Sequence, residues 1–108
     1  MQYPKSVRKE LRSLASTAYE RELDSALEDI YAGFEKWKNK QIDCFGLNQL
    51  IHEFHQKKSR ELWKIYNLGD IDIIVTRALR LGVLQPGEIS TETAEAIHLD
   101  RYIIGERA

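Results

Sequence analysis

The N-terminal third of the chain carries one long helical pattern. From Pro4, a residue suited to the start of a helix, apolar residues recur at helical spacing through Trp37, and lysines near residue 40 suit the C-terminal dipole. A helix of roughly 33 residues is about 50 Å long, whereas a compact domain of about 100 residues is about 30 to 35 Å across. The helix predicted over 4–40 is therefore expected to project beyond its own globule.

A projecting apolar stripe favours pairing with a second chain, most simply a copy of itself, because a monomer would expose too large an apolar patch. The residues predicted to form this homodimer interface are Leu11, Leu14, Ala18, Tyr19, Leu23, Leu27, Ile30, Phe34 and Trp37. In an antiparallel pair, the basic first turns of the helix in one chain would face the acidic middle of the helix in the other. The basic residues are Lys5, Arg8, Lys9 and Arg12, and the acidic residues are Glu20, Glu22, Asp24, Glu28 and Asp29. The alternative is a helix that breaks near Gly33 or folds back within one chain.

Shorter helical patterns follow the first. Asp43 can cap a second helix, predicted over 43–67, and Gly69 with the following aspartate breaks the chain. A third helix is predicted over 71–81, and Gly82 should end it in a Schellman motif.

The segment IDIIV at 71–75 also fits a strand, but five residues share one helical face and favour a helix. They are Ile71, Ile74, Val75, Ala78 and Leu79. After a turn at Gln85, Pro86 and Gly87, Ser90 or Thr91 should cap a last short helix with Ala94, Ile97 and Ile104. The chain is thus predicted to be one all-α domain over 1–108, with a small helical head over 70–106.

Composition limits the class of protein. The chain has 108 residues, 43% of them hydrophobic and 31% charged, which is typical of one soluble folded domain. A formal net charge of −1 argues against a nucleic-acid-binding protein. No apolar run has the length of a signal peptide or a membrane span, so a cytoplasmic protein without membrane insertion is expected. Cys44, the only cysteine, is expected to be semi-buried and structural.

The stretch 47–66 has an apolar stripe that fails in its middle. No apolar residue occurs from Gln56 to Glu61, which indicates a surface that contacts a partner. Trp63 falls on the polar face at helical spacing from His52, as interface anchors often do. The cations Lys57, Lys58, Arg60 and Lys64 could dock an acidic partner, but they also fit an ordinary solvated face.

The residues His52, Glu53 and His55 nearly form the zinc-protease pattern HExxH. The second histidine of that motif stands four positions after the first, where this chain has Gln56. Two surface imidazoles are therefore the simpler interpretation. No other spacing is typical of a catalytic or cofactor site, so the sequence predicts no enzyme, no metal and no cofactor.

Three motifs in order resemble the fluorescence recovery protein family of cyanobacteria: AYERELD at 18–24, QID at 41–43 and HEF at 52–54. Tyr66 and the sequence LGVL at 81–84 extend the likeness over most of the chain. The resemblance implies an all-helical homodimer without enzymatic activity. Proteins of this family bind photoactivated orange carotenoid protein, speed its return to the resting form and so restore phycobilisome fluorescence.

The resemblance also implies where a partner would bind. The family's functional histidine and the acidic residue after it match His52 and Glu53, whereas its arginine falls on Ser59, next to Arg60. The family's tryptophan before that histidine is not matched. The predicted partner-binding surface consists of His52, Glu53, Lys57, Lys58, Arg60 and Trp63.

Two alternatives to a carotenoid-protein regulator stay open. The first is a divergent interaction module that serves another partner and has no photoprotective function. The second is a small metal-dependent enzyme that uses His52, Glu53 and His55.

Overall fold

Helix α1 spans Lys5–Lys38 without a break, and every other helix packs against it. The computed structural model of the chain describes residues 3–98. The 34 residues of α1 would extend about 51 Å. The longest dimension of the molecule is 53 Å, so this one helix sets the length of the molecule. The predicted long N-terminal helix is confirmed. The alternative of a break at Gly33 is wrong.

The remaining elements are also helical, and residues 3–98 contain no strand, so the all-α class is confirmed. The chain continues through α2 (Cys44–Glu53), a π-helical turn (Phe54–Ser59), α3 (Arg60–Leu68), α4 (Ile71–Arg80), a 3₁₀ turn (Pro86–Glu88) and α5 (Thr91–Ala96). The segment 71–75 is the first part of α4, so the helical interpretation of it is right. Ile104, predicted for the last helix, lies outside the described residues.

The ends of these helices follow local chemistry. The Asp43 carboxylate accepts a hydrogen bond from the Gly46 backbone N–H at 2.8 Å, and the Ser90 hydroxyl accepts one from Thr93 at 3.2 Å. Both side chains satisfy backbone donors that a helix start leaves unpaired. Gly82 has φ of +77°, which a glycine adopts without steric cost, and it ends α4 in the predicted Schellman motif.

The first half of α1 forms the main apolar core with α4, α5 and the segments beside them, a unit that we call the head. Side chains from three parts of the chain interdigitate there. The buried members are Val7, Leu11, Leu14, Ala15 and Ala18 of α1, Ile74, Val75, Ala78 and Leu79 of α4, and Leu84 and Ile97. Leu11, Leu14 and Ala18 of the predicted dimer interface are thus covered by their own chain, which leaves no surface at these positions for a partner.

The second half of α1 packs against α2, the π-turn and α3, which together form the stem, residues 19–68. Gly33 is buried and permits close approach, because a Cβ atom there would lie 3.0 Å from Leu50 Cδ1 and 3.8 Å from Leu47 Cδ1. Leu62 fills the same interior from α3 and is 1% exposed. The stem is therefore a helical hairpin whose turn lies far from the head.

A partly buried polar cluster joins stem and head. Arg77 of α4 donates two hydrogen bonds to the Glu22 carboxylate, at 2.8 and 3.3 Å, and the Tyr66 hydroxyl donates a third. The ring of Tyr66 stacks on Tyr19 with centroids 4.8 Å apart. Burial alone would raise the pKa of Glu22, but the bonds from Arg77 and Tyr66 lower it below its ordinary value. Glu22 is therefore used within the chain and is not available for the predicted charge pairing with a second copy.

Two further carboxylates fasten the loop before α5 to α1. Glu10 accepts hydrogen bonds from the Ser90 backbone and hydroxyl and from the Thr93 hydroxyl, at 2.6 to 2.7 Å. Arg21 binds Glu88 through two hydrogen bonds of 2.8 Å, which hold the pKa of Glu88 at about 2. Three acidic groups with lowered pKa values therefore connect α1 to α4 and to the loop before α5.

We expect Glu22→Gln to lower the free energy of unfolding by about 1 to 3 kcal/mol at neutral pH, because Arg77 loses its charged partner in a partly buried site. Since the pKa of Glu22 is lower in the folded protein than in the unfolded chain, this stabilisation is complete above about pH 5 and is lost as the pH falls through the folded-state value. The penalty of Glu22→Gln should therefore shrink on acidification. Urea unfolding followed by circular dichroism measures it, with the exposed Glu28→Gln as control. A Glu22→Gln penalty that is equal at neutral and acidic pH would contradict the assignment.

Candidate partner-binding surface

The charged break in the sequence coincides with an irregularity of the backbone. The π-turn Phe54–Ser59 begins where the apolar stripe fails, and no side chain in it is fully buried. A π-helix closes hydrogen bonds five residues apart instead of four, so it holds more residues per turn than the α-helices on either side. Such turns are rare and occur frequently at functional sites.

The exposed side of this turn and the start of α3 form a shallow groove of about 430 Å³. It is lined by His55, Gln56, Ser59, Arg60 and Trp63. Trp63 is 51% exposed because its neighbour Leu62 points into the stem. Of the predicted partner-binding residues, Arg60 and Trp63 therefore share one surface.

Arg60 and Trp63 have no side-chain partners of their own. Within residues 3–98, no carboxylate forms an ion pair with Arg60, and the Trp63 ring has no cation or stacked ring over it. Trp37, by contrast, has the Lys38 ammonium 5.6 Å from its ring centroid. Arginine and tryptophan are among the residue types enriched at the energetic centres of protein interfaces.

The other predicted residues are divided between neighbouring surfaces. His52 Nε2 lies 3.4 Å from Gln56 Nε2 and so adjoins the groove, whereas Glu53 accepts a hydrogen bond from Gln49 at 3.1 Å. Lys57 is exposed on the π-turn. Lys58 lines a different groove of about 320 Å³ against α1, together with Arg21, Glu22, Ser25, Ala26, Asp29 and Val83. The residues that were predicted to form one partner-binding surface thus lie on two different surfaces of the protein.

A second exposed surface lies on the distal half of α1. Leu27, Phe34 and Trp37 of the predicted dimer interface are 45%, 39% and 39% exposed. With the half-buried Leu23 and Ile30, they repeat at alternating intervals of four and three residues, the spacing of a seam between two helices. Trp37 is therefore not a core residue. Tyr19, the remaining predicted member, stacks on Tyr66 within the chain.

A groove on the head was not predicted. It has a volume of about 410 Å³ and is lined by Asp72, Ile73, Thr76, Arg77 and Arg80. Ile73 is 61% exposed. The signal was present in the sequence, because Ile73 is the one isoleucine of IDIIV that does not fit the buried helical face.

Cys44 is exposed at the first position of α2, so the expectation of a semi-buried cysteine is wrong. The reason is its place at the first position of α2, before the part of the helix that packs: Asp43 and Phe45 on either side are exposed as well, and burial begins only at Leu47. In the part of the chain that the structure describes, no three His, Cys, Asp or Glu side chains are grouped so that they could hold a metal ion.

No helix among residues 3–98 is long and apolar enough to cross a bilayer. Comparison with protein-family models, curated proteins and solved structures found no match to this chain.

We expect deletion of Lys57 to be tolerated, because the π-turn can lose one residue and become a regular α-helical turn while α2 and α3 keep their buried faces. The unfolding free energy should stay within about 1 kcal/mol of the wild type. Deletion of the equally exposed Ile73 is the control. It would rotate Ile74 and the rest of α4 off the core and should abolish cooperative thermal unfolding. Equal damage from both deletions would show that the π-turn has no such freedom.

Proposed function

We propose that this protein is a non-enzymatic, homodimeric, cytoplasmic regulator that binds photoactivated orange carotenoid protein and accelerates its return to the resting form. The observation that carries the proposal is that Arg60 and Trp63, both unpaired within the described residues, share a groove next to the family-like His52. The ordered motifs AYERELD, QID and HEF supply the identity of the partner.

The proposed mechanism is differential binding. A protein that binds one conformation of its partner more tightly than another shifts the partner's equilibrium, and it needs a complementary surface for this and no reactive group. To accelerate recovery, the surface must bind the transition state of recovery more tightly than the photoactivated form. A rigid helical surface suits this task, because its side chains are already in place before the partner binds.

Homodimerisation through the distal half of α1 is part of the proposal. The centre of the seam is Ile30, with Leu23 and Leu27 on one side and Phe34 and Trp37 on the other. An antiparallel copy that pairs through this centre would place Lys38 beside Glu20 or Asp24 of the other chain. This arrangement covers the exposed apolar residues and pairs opposite charges. It uses the part of α1 that the head does not cover.

Introduction of a charge into the seam should separate the dimer. We expect Leu27→Glu to give a monomer in analytical ultracentrifugation at micromolar concentration, because two buried carboxylates near the two-fold axis would repel each other without a partner. Leu68→Glu is the matched control, since Leu68 is 68% exposed at the end of α3, outside the seam. A dimeric Leu27→Glu protein would rule out this interface.

The activity itself is tested by the dark decay of photoactivated orange carotenoid protein, followed by absorbance with and without this protein. We expect clear acceleration by the wild type. Arg60→Ala and Trp63→Ala should each reduce it by about tenfold or more, as is usual for interface residues at an energetic centre. Lys58→Ala is the matched control, because Lys58 is a cation on the same turn but lines the groove on the other side.

A second candidate function is an interaction module for a different protein partner. The observation in its favour is that the family's tryptophan before His52 is not matched and that Leu50, in that region, packs toward Gly33 instead. A folded, dimeric protein that leaves the dark decay unchanged would favour this candidate and would overturn the first.

A further inference from the structure

The groove on the π-turn combines several polar donors with one aromatic surface. Arg60 contributes a guanidinium, and Gln56 and Ser59 contribute an amide and a hydroxyl, all on the lining of one depression. Trp63 adds a half-exposed indole to the same lining. A ligand that uses both kinds of contact must therefore accept hydrogen bonds and also present an apolar group.

The charge around the groove selects the sign of that ligand. Residues 55–64 contain four Lys or Arg and one Glu, although the whole chain has a formal net charge of −1. Of these four cations Arg60 lines the groove, whereas Lys58 lines the different groove against α1. Glu53, the nearest preceding acid, accepts a hydrogen bond from Gln49. The guanidinium of Arg60 is thus the charge that this groove offers, and it favours an anionic group on the ligand.

We infer that the groove binds an acidic segment of a protein partner, with a partner carboxylate on Arg60 and an adjacent aromatic or aliphatic side chain on the Trp63 ring. Arginine binds a carboxylate through two parallel hydrogen bonds, which gives both strength and orientation. The inference rests on the proposed function only in requiring that the partner is a protein.

A nucleic-acid ligand fits these observations less well. Proteins that bind single strands combine a long positive groove with several aromatic rings for successive bases. Here one turn is positive, one ring is available in the groove, and the chain as a whole is slightly acidic. A short acidic peptide needs only the two contacts that are present.

The two tryptophans provide a direct test by nuclear magnetic resonance on the ¹⁵N-labelled full chain. The probe is the peptide acetyl-Glu-Phe-Glu-amide, and the controls are the same peptide with Gln or with Lys in place of Glu. We expect saturable shifts of the Trp63 indole signal with the Glu peptide alone and no comparable shift of Trp37, which is in the α1 seam. Raising the salt concentration severalfold should weaken binding, because exposed charge pairs are screened.

Two variants locate the contact. Arg60→Gln should weaken the peptide on the order of tenfold, and Lys58→Gln should change its affinity by less than about twofold, because Lys58 lines the opposite groove. Both residues are exposed, so both variants should keep the wild-type circular dichroism.

Equal binding of the three peptides, or equal shifts of both indoles, would overturn the inference. Tighter binding of octathymidylate than of the Glu peptide would overturn it in favour of a nucleic-acid ligand. The outcome is separate from that of the dark-decay assay. Peptide binding without faster decay would contradict the proposed action on orange carotenoid protein and support the acidic-segment site. Faster decay without peptide binding would support that action and contradict the acidic-segment site.

Discussion

The packing of the rest of the chain on one 34-residue helix determines the architecture of this protein. The remaining helices are short, and they can cover one side of α1 but not its whole circumference. The head buries the first half of α1 in an apolar core, and the stem buries a narrower strip around Gly33. Beside this strip, the distal half keeps an apolar seam exposed, which is why a second chain enters the proposed function.

Polar contacts accompany the apolar packing between the head and the stem. Glu22 of the stem binds Arg77 of α4, Glu88 binds Arg21 of the stem, and Glu10 holds the loop before α5 on α1 within the head; all three carboxylates have lowered pKa values. Partly exposed ion pairs and hydrogen bonds of this kind contribute little net stability compared with apolar packing, but they require specific positions of their partners. These contacts therefore favour one placement of α4 and of the loop before α5 on α1.

Much of the fold could be predicted from local chemistry. The long helix, the cap at Asp43 and the glycine stop at Gly82 depend on a few neighbouring residues, and the structure agrees with them. The cap of the last helix was left open between Ser90 and Thr91, and the structure shows Ser90 in that position. The candidate site was predicted only in part. Arg60 and Trp63, three residues apart on one helical face, share a groove, whereas Lys58, two residues before Arg60, lies on the other side, because residues two apart on a helix do not share a face.

The sequence by itself determined the helical class, the ends of the helices and the presence of a charged break near residue 56, because these depend on periodicity and on short-range hydrogen bonds. Only the tertiary structure decided which side of α1 is covered. Leu11 and Leu27 have the same apolar character and differ only in whether α4 lies over them. The same holds for Glu22, whose partners Arg77 and Tyr66 are 55 and 44 residues away along the chain. Contacts at such separations depend on the packing of whole helices, which no local pattern encodes.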